Sequence, residues 1–99
     1  MPNPIRNLNK AFDSRIRLGI MALLMVNNRV DFNTLKDTLE VTDGNLASHL
    51  SALELMGYVS VQKQFLGRKP NTSYSATVAG RTSFQEHIDA LEALLRKEP

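Results

Sequence analysis

Residues 42–59 read TDGNLASHLSALELMGYV, and their spacing predicts a helix with two different sides. Leu46, Leu50 and Leu53 fall within one arc at separations of three and four, as the buried stripe of a helix requires. The opposite arc carries Gly44, Asn45, Ser48, Ser51, Ala52 and Leu55. Thr42 stands where a hydroxyl can accept from the first free backbone N–H groups, Asp43 favours the positive end of the helix dipole, and Gly57 suits the left-handed position that closes a helix. A short helix that keeps small polar groups on one side and stops before a β-like run has the build of a binding face.

The flanking segments set this helix in a frame. In AFDSRIRLGIMALLMVNN, residues 11–28, the positions of Phe12, Ile16, Ile20, Leu23 and Leu24 predict one helix with a broad apolar face. Arg29-Val30-Asp31 is long enough only for a strand fragment. Asp31 or Asn33 can then cap FNTLKDTLE, a second helix buried on Phe32, Leu35 and Leu39. Beyond Gly57, YVSVQKQF alternates with Val59, Val61 and Phe65 on one side, LGRKPNT has turn composition, and SYSAT is a second strand, which together predict a hairpin with a basic tip. Thr77 can cap a last helix to about Lys97, on which Phe84, Ile88, Leu91 and Leu95 form a narrow stripe. This order predicts a mostly α (α+β) fold in one domain over residues 1–99. It is a winged helix-turn-helix, with the helix-turn-helix at about 33–56, the wing at about 58–77 and the C-terminal helix at about 78–97.

Charge is unevenly placed along the chain. Residues 1–30 sum to +4, residues 31–54 to −4, residues 55–85 to +4 with no acid at all, and the remainder to −2. The alternation implies two positive surfaces. Zero cysteines exclude disulfides, thiol nucleophiles and thiolate metal sites, and two histidines are too few for a structural metal site. The isolated glycines at 19, 44, 57, 67 and 80 make no phosphate loop, and no paired catalytic carboxylates or Ser/His/Asp set is present, so neither an enzyme nor a cofactor is expected. Without a long apolar run or the apolar stretch of a signal peptide, the expected location is cytoplasmic, away from any membrane.

RIRLGIMALL in the first helix, DGNLASHLSALELMGYV, FLGRKPNTSYSAT in the hairpin and TVAGRTSFQEHIDAL at the start of the last helix together resemble the small stand-alone winged-helix transcriptional regulators related to the MarR and ArsR groups. The likeness runs from about Leu8 to Leu95. It implies a regulator that binds double-stranded DNA, with residues 43–56 as recognition helix in the major groove. Asn45, Ser48, Gly44 and Ser51 would lie nearest the bases, and Arg68 and Lys69 would meet phosphates or the minor groove. ArsR-like relatives carry a Ser-x-His-Leu string here, whereas Ala47-Ser48-His49-Leu50 keeps the His-Leu and replaces the first serine. No Lys or Arg lies on this helix, so Asn45 is left to pair with adenine, and affinity falls to Lys63, Arg68, Lys69 and basic groups near the first helix.

The last helix carries the second expectation, a homodimer seam of Phe84, Ile88, Leu91 and Leu95 with the first helix contributing, because the stripe outruns the compact core. His49 is expected to pack through a hydrogen bond, His87 to be exposed or at the interface, and Met21, Met25 and Met56 to fill the core. Arg81 can serve phosphate or nearby acids. A winged helix that binds protein without specific DNA is the competing reading, and no effector ligand is legible.

Overall fold

In the computed structural model, residues 5–96 are described. A 3-10 turn, Lys10–Phe12, leads into α1 (Arg15–Val26), β1 (Val30–Asp31), α2 (Phe32–Leu39), α3 (Asp43–Leu55), β2 (Val59–Leu66), β3 (Lys69–Ala76) and α4 (Val78–Leu94). The expected helix start at Ala11 is corrected. Ser14 adopts an extended backbone and its hydroxyl accepts from the Arg17 N–H, so α1 begins at Arg15 and Phe12 belongs to the separate turn before it. Serine wins here because a free hydroxyl satisfies an otherwise orphaned helix N–H.

The three helices share one core. Ile20, Met21, Leu24, Leu35, Leu46, Leu50 and Leu53 are all fully buried, and Phe32, Leu39 and Val41 pack half-buried around them. Each such aliphatic side chain contributes about 1.5–3 kcal/mol of burial. Two residues in the left-handed region follow the ends of α2 and α3. Glu40 closes α2 in the left-handed region at φ 54°, a conformation unusual for a residue with a Cβ. Gly57, at φ 80°, follows the Met56 cap of α3, as its sequence position predicts.

The sheet has the order β1-β3-β2, all antiparallel. Val30 pairs with Tyr74, and β2 and β3 stay in register from Val59↔Ala76 out to Leu66↔Lys69. The hairpin turn is therefore only Gly67 and Arg68, with Gly67 at φ 66° in the place a two-residue turn reserves for glycine. This corrects the longer turn expected over LGRKPNT: Lys69 through Thr72 belong to β3, because each faces a β2 residue across the ladder. Phe65 keeps the alternation of Val59 and Val61 yet is 71 % exposed, since Val59 is the last β2 residue in the core.

At the other end, residues 9–12 dock on α4. The Asn9 backbone N–H donates to His87 Nδ1 at 3.0 Å, and its side-chain amide donates to the Tyr58 hydroxyl at 3.2 Å. Hydrogen bonds with Ser83 and with Asn9 hold that hydroxyl below the ordinary tyrosine range. The Phe12 ring meets Tyr58, Phe84 and His87 at centroid distances of 5.6, 5.2 and 5.2 Å. His87 is thus buried within the chain, where an exposed or interface position was expected, and Met56 is exposed where a core role was expected. Met21 and Met25 do serve the core.

Thr77 joins three elements at the root of the hairpin. Its N–H donates to the Tyr58 carbonyl, its hydroxyl donates to the Gly57 carbonyl at 2.6 Å, and that hydroxyl accepts from the Gly80 N–H at 2.9 Å. Gly80 lies so close behind that a Cβ would run into the Tyr58 carbonyl oxygen. Gly80→Ala should therefore lower unfolding free energy by about 1–3 kcal/mol through overpacking. Gly44→Ala, where a Cβ meets nothing within 4 Å, should cost nothing; urea unfolding of both variants checks the contrast.

Candidate nucleic-acid interface

The leucine arc of α3 faces α1 and α2, which forces its other arc outward. Gly44, Asn45, Ala47, Ser48 and Ser51 are exposed, as are Glu54 and Leu55 further along. Thr42 caps the helix, its hydroxyl accepting from the Asn45 N–H at 3.2 Å. The Asn45 side-chain amide has no hydrogen-bond partner among the described residues, so both its donor and its acceptor remain available to a ligand. The four sequence-predicted α3 positions therefore lie on one continuous exposed face.

Lys63, Arg68 and Lys69 stand apart from that face, on the hairpin. All three are exposed, and none has an ion-pair partner among the described residues. Lys63 lies on β2 opposite Thr72, beside a groove that the start of α2 shares with β3. Arg68 is the second residue of the turn and Lys69 the first of β3, so the two cations sit at the far end of the hairpin.

One cation near α3 escaped the sequence reading. Arg17 of α1 donates from Nε to His49 Nδ1 at 3.0 Å, which brings a guanidinium to the flank of a helix that has no Lys or Arg of its own. The contact spans 32 positions, and nothing local in the sequence signals it. It also gives His49 the hydrogen-bonded packing role expected of it. Arg81 resolves differently from either role considered for it. Its guanidinium donates to the Met25 carbonyl at 3.3 Å, at the carbonyl end of α1, where a positive charge is favourable.

Three helices with a short first strand and a two-stranded hairpin after the third helix define a winged helix. The chain belongs to the winged helix DNA-binding domain family, which it matches over residues 16–95. It is 39 % identical over 79 residues to an uncharacterized protein of Methanocaldococcus jannaschii, covering 80 % of this chain and 86 % of that one. The structure of the transcriptional regulator homologue protein from Pyrococcus horikoshii OT3 superposes with a TM-score of 0.80 at 29 % identity, covering 86 % of this chain and 84 % of that one. Reduced AbfR bound to DNA shares the fold, with a TM-score of 0.76 at 17 % identity over 96 % of this chain and 68 % of that one. The resemblance to small winged-helix transcriptional regulators is borne out.

An exposed ion pair sits at the start of the α3 arc. Lys36 Nζ of α2 lies 2.9 Å from Asp43 Oδ1 in the first turn of α3. The hydrogen bond to Asp43, reinforced by its charge, raises the lysine above its ordinary 10.5. A raised lysine contributes its stability fully below the unfolded value and loses it as pH climbs through the folded one. Lys36→Met should thus be less stable than the unaltered protein throughout neutral pH. On the alkaline side the two thermal midpoints should converge as pH climbs above 10.5.

Proposed function

We propose that the protein is a transcriptional regulator that binds double-stranded DNA sequence-specifically as a homodimer. The observation that carries this reading is the pairing of an exposed, small and polar recognition face on α3 with a projecting hairpin whose cations have no acidic partner among the described residues. In this arrangement α3 enters the major groove, where Asn45 pairs with adenine and Ser48 and Ser51 donate or accept, with the Gly44 backbone allowing close approach. The wing follows the adjacent backbone or minor groove through Lys63, Arg68 and Lys69. Such a protein works where the chromosome is, in the cytoplasm, and needs neither catalytic group nor cofactor.

Dimerisation is the second element of the proposal. Phe84 is taken up by the chain's own core at 5 % exposure, and Ile88 is half-buried against it. Leu91 and Leu95 lie bare further along, at 37 % and 86 % exposure, and Leu94 joins them at 37 %. The seam is therefore the C-terminal half of α4, extended from Ile88, with Phe84 supporting it from behind. Pairing about a two-fold axis covers the same leucines on both copies. It also sets two α3 helices on successive major grooves, so half-sites should lie about 10–10.5 base pairs apart or a multiple of that.

Salt-dependent gel retardation on duplex DNA tests the reading against a winged helix that binds only protein, which would show none. Arg68→Ala combined with Lys69→Ala should weaken binding to all sequences alike and reduce the slope of log K against log salt by roughly one to two. Asn45→Ala should cost about 1–3 kcal/mol on a selected site and little on random duplex, as fluorescence anisotropy on the two DNAs can compare.

Leu91→Glu should give a monomer by analytical ultracentrifugation while circular dichroism stays that of the folded protein. Cooperative binding to a two-half-site duplex should disappear with it. An unaltered protein that sediments as a monomer at tens of micromolar, where an interface of about micromolar Kd is filled, would remove the seam and the half-site spacing together.

A further inference from the structure

The outer end of the wing is apolar as well as basic. Phe65 is 71 % and Leu66 61 % exposed. They pair across the ladder with Pro70 and Lys69, on either side of the Gly67-Arg68 turn. Two large bare hydrophobic residues at the end of a hairpin lie outside the hydrophobic core of the described residues, and no acidic residue occurs anywhere from 55 to 85. The molecule's longest extent is 60 Å against 25 and 21 Å. Its radius of gyration, 15.3 Å, exceeds the roughly 13 Å of a compact chain this long.

We propose that Phe65 and Leu66 form an apolar wedge that enters the minor groove of duplex DNA and opens or kinks a base step there. The proposal rests on the DNA-binding reading above. Its choice of partner follows from charge and shape. Cations beside the wedge, with no acid in the segment, select a polyanion. On duplex DNA the apolar surfaces open to a narrow tip are the deoxyribose walls and base edges of the minor groove, once α3 holds the major groove. Arg68 and Lys69 then meet the phosphates of the groove walls while Phe65 and Leu66, consecutive on β2 and so on opposite faces of the ribbon, displace water from the floor on its two sides. Wedges of Phe or Leu between base steps unstack them and bend the duplex, at a cost that depends on the step. Pyrimidine–purine steps such as TA and CA yield most easily.

This assigns the wing a share in sequence choice. A recognition helix with no Lys or Arg of its own lacks the commonest base contact. Deformability under the wing supplies discrimination at positions that no hydrogen bond touches. Bases beneath the wing should be favoured for how readily they unstack.

The test compares Phe65→Ser/Leu66→Ser, Phe65→Trp and Arg68→Ala/Lys69→Ala with the unaltered protein. The probes are 30-base-pair duplexes carrying end labels for energy transfer and 2-aminopurine within TA steps or, in a second set, within A-tracts. Both apolar positions are exposed, so all variants should keep the thermal midpoint of the parent. The unaltered protein should shorten the end-to-end distance and brighten 2-aminopurine on TA-containing duplex. The double serine variant should lose both signals and bind on the order of 5- to 20-fold more weakly, the loss expected for removing stacking or apolar base contacts. Its salt slope should stay unchanged, whereas the Arg68/Lys69 variant should change the slope. Phe65→Trp should restore the signals, with its own fluorescence quenched on DNA.

Equal bending and equal affinity in the double serine variant would overturn the wedge while leaving DNA binding intact. Absence of binding by the unaltered protein to any duplex would remove both readings. Phe65-dependent sedimentation with acidic phospholipid vesicles, together with DNA signals indifferent to Phe65, would overturn the wedge and reassign the tip to a membrane surface.

Discussion

Burial of Leu46, Leu50 and Leu53 against α1 and α2 governs the rest of the molecule. Leucines on one arc of a helix cannot leave water without turning the opposite arc into it. Fixing three apolar contacts therefore fixes the outward aim of Asn45, Ser48 and Ser51 as well. The caps make this orientation firm. Thr42 holds the first turn, Asp43 ties it to Lys36, and Gly57 releases the chain in a left-handed turn toward β2. An outward polar surface thus comes from the same burial that builds the core, and its exposed polar groups contribute little to stability.

Much of this was written locally in the sequence. The leucine spacing, Thr42 and Thr77 as caps, Gly57 as helix terminator and Val30-Asp31 as a strand fragment each depend on residues a few positions apart, where propensity and hydrogen-bonding chemistry decide. What sequence reading missed depends on distant partners. Phe65 follows the alternation of β2 correctly, yet alternation states only which face a side chain shares and not where the core beneath that face ends. His87 looked exposed because its partner, the Asn9 N–H, lies 78 positions away. Arg17 gave no sign of meeting His49 for the same reason. Phe84 belonged to a real stripe on α4, but the turn at Lys10–Phe12 covers its first member before any second chain could. For the candidate site, the α3 face and the charged end of the wing were legible. The guanidinium beside α3 and the bare aromatic at the wing tip were not.

Charge is distributed so that the exposed part of α3 carries two acids, Asp43 and Glu54, and no Lys or Arg, while cations flank it. Exposed Glu54 lies toward the end of that helix, Arg17 sits at its side, and Lys63, Arg68 and Lys69 occupy the hairpin. On the proposed function, long-range attraction and close-range discrimination fall to different elements. Flexible cations act through space and tolerate misalignment, whereas amides and hydroxyls require near-ideal distance and angle. Keeping the second kind on a rigid helix and the first on a projecting ribbon suits each to its support.

The threonine at the hairpin root has a mechanical consequence. Thr77 binds the Gly57 and Tyr58 carbonyls and the Gly80 N–H, and Gly80 itself abuts Tyr58 without room for a methyl group. The end of α3, the base of the wing and the start of α4 are therefore clamped into one joint, leaving the ribbon no hinge where it leaves the body. The ribbon's outer half, residues 62–70, is exposed on both strands. The wing behaves as a beam built in at one end: its tip can follow the contour of a surface, and a load too large for the ribbon to absorb passes straight into the long helix.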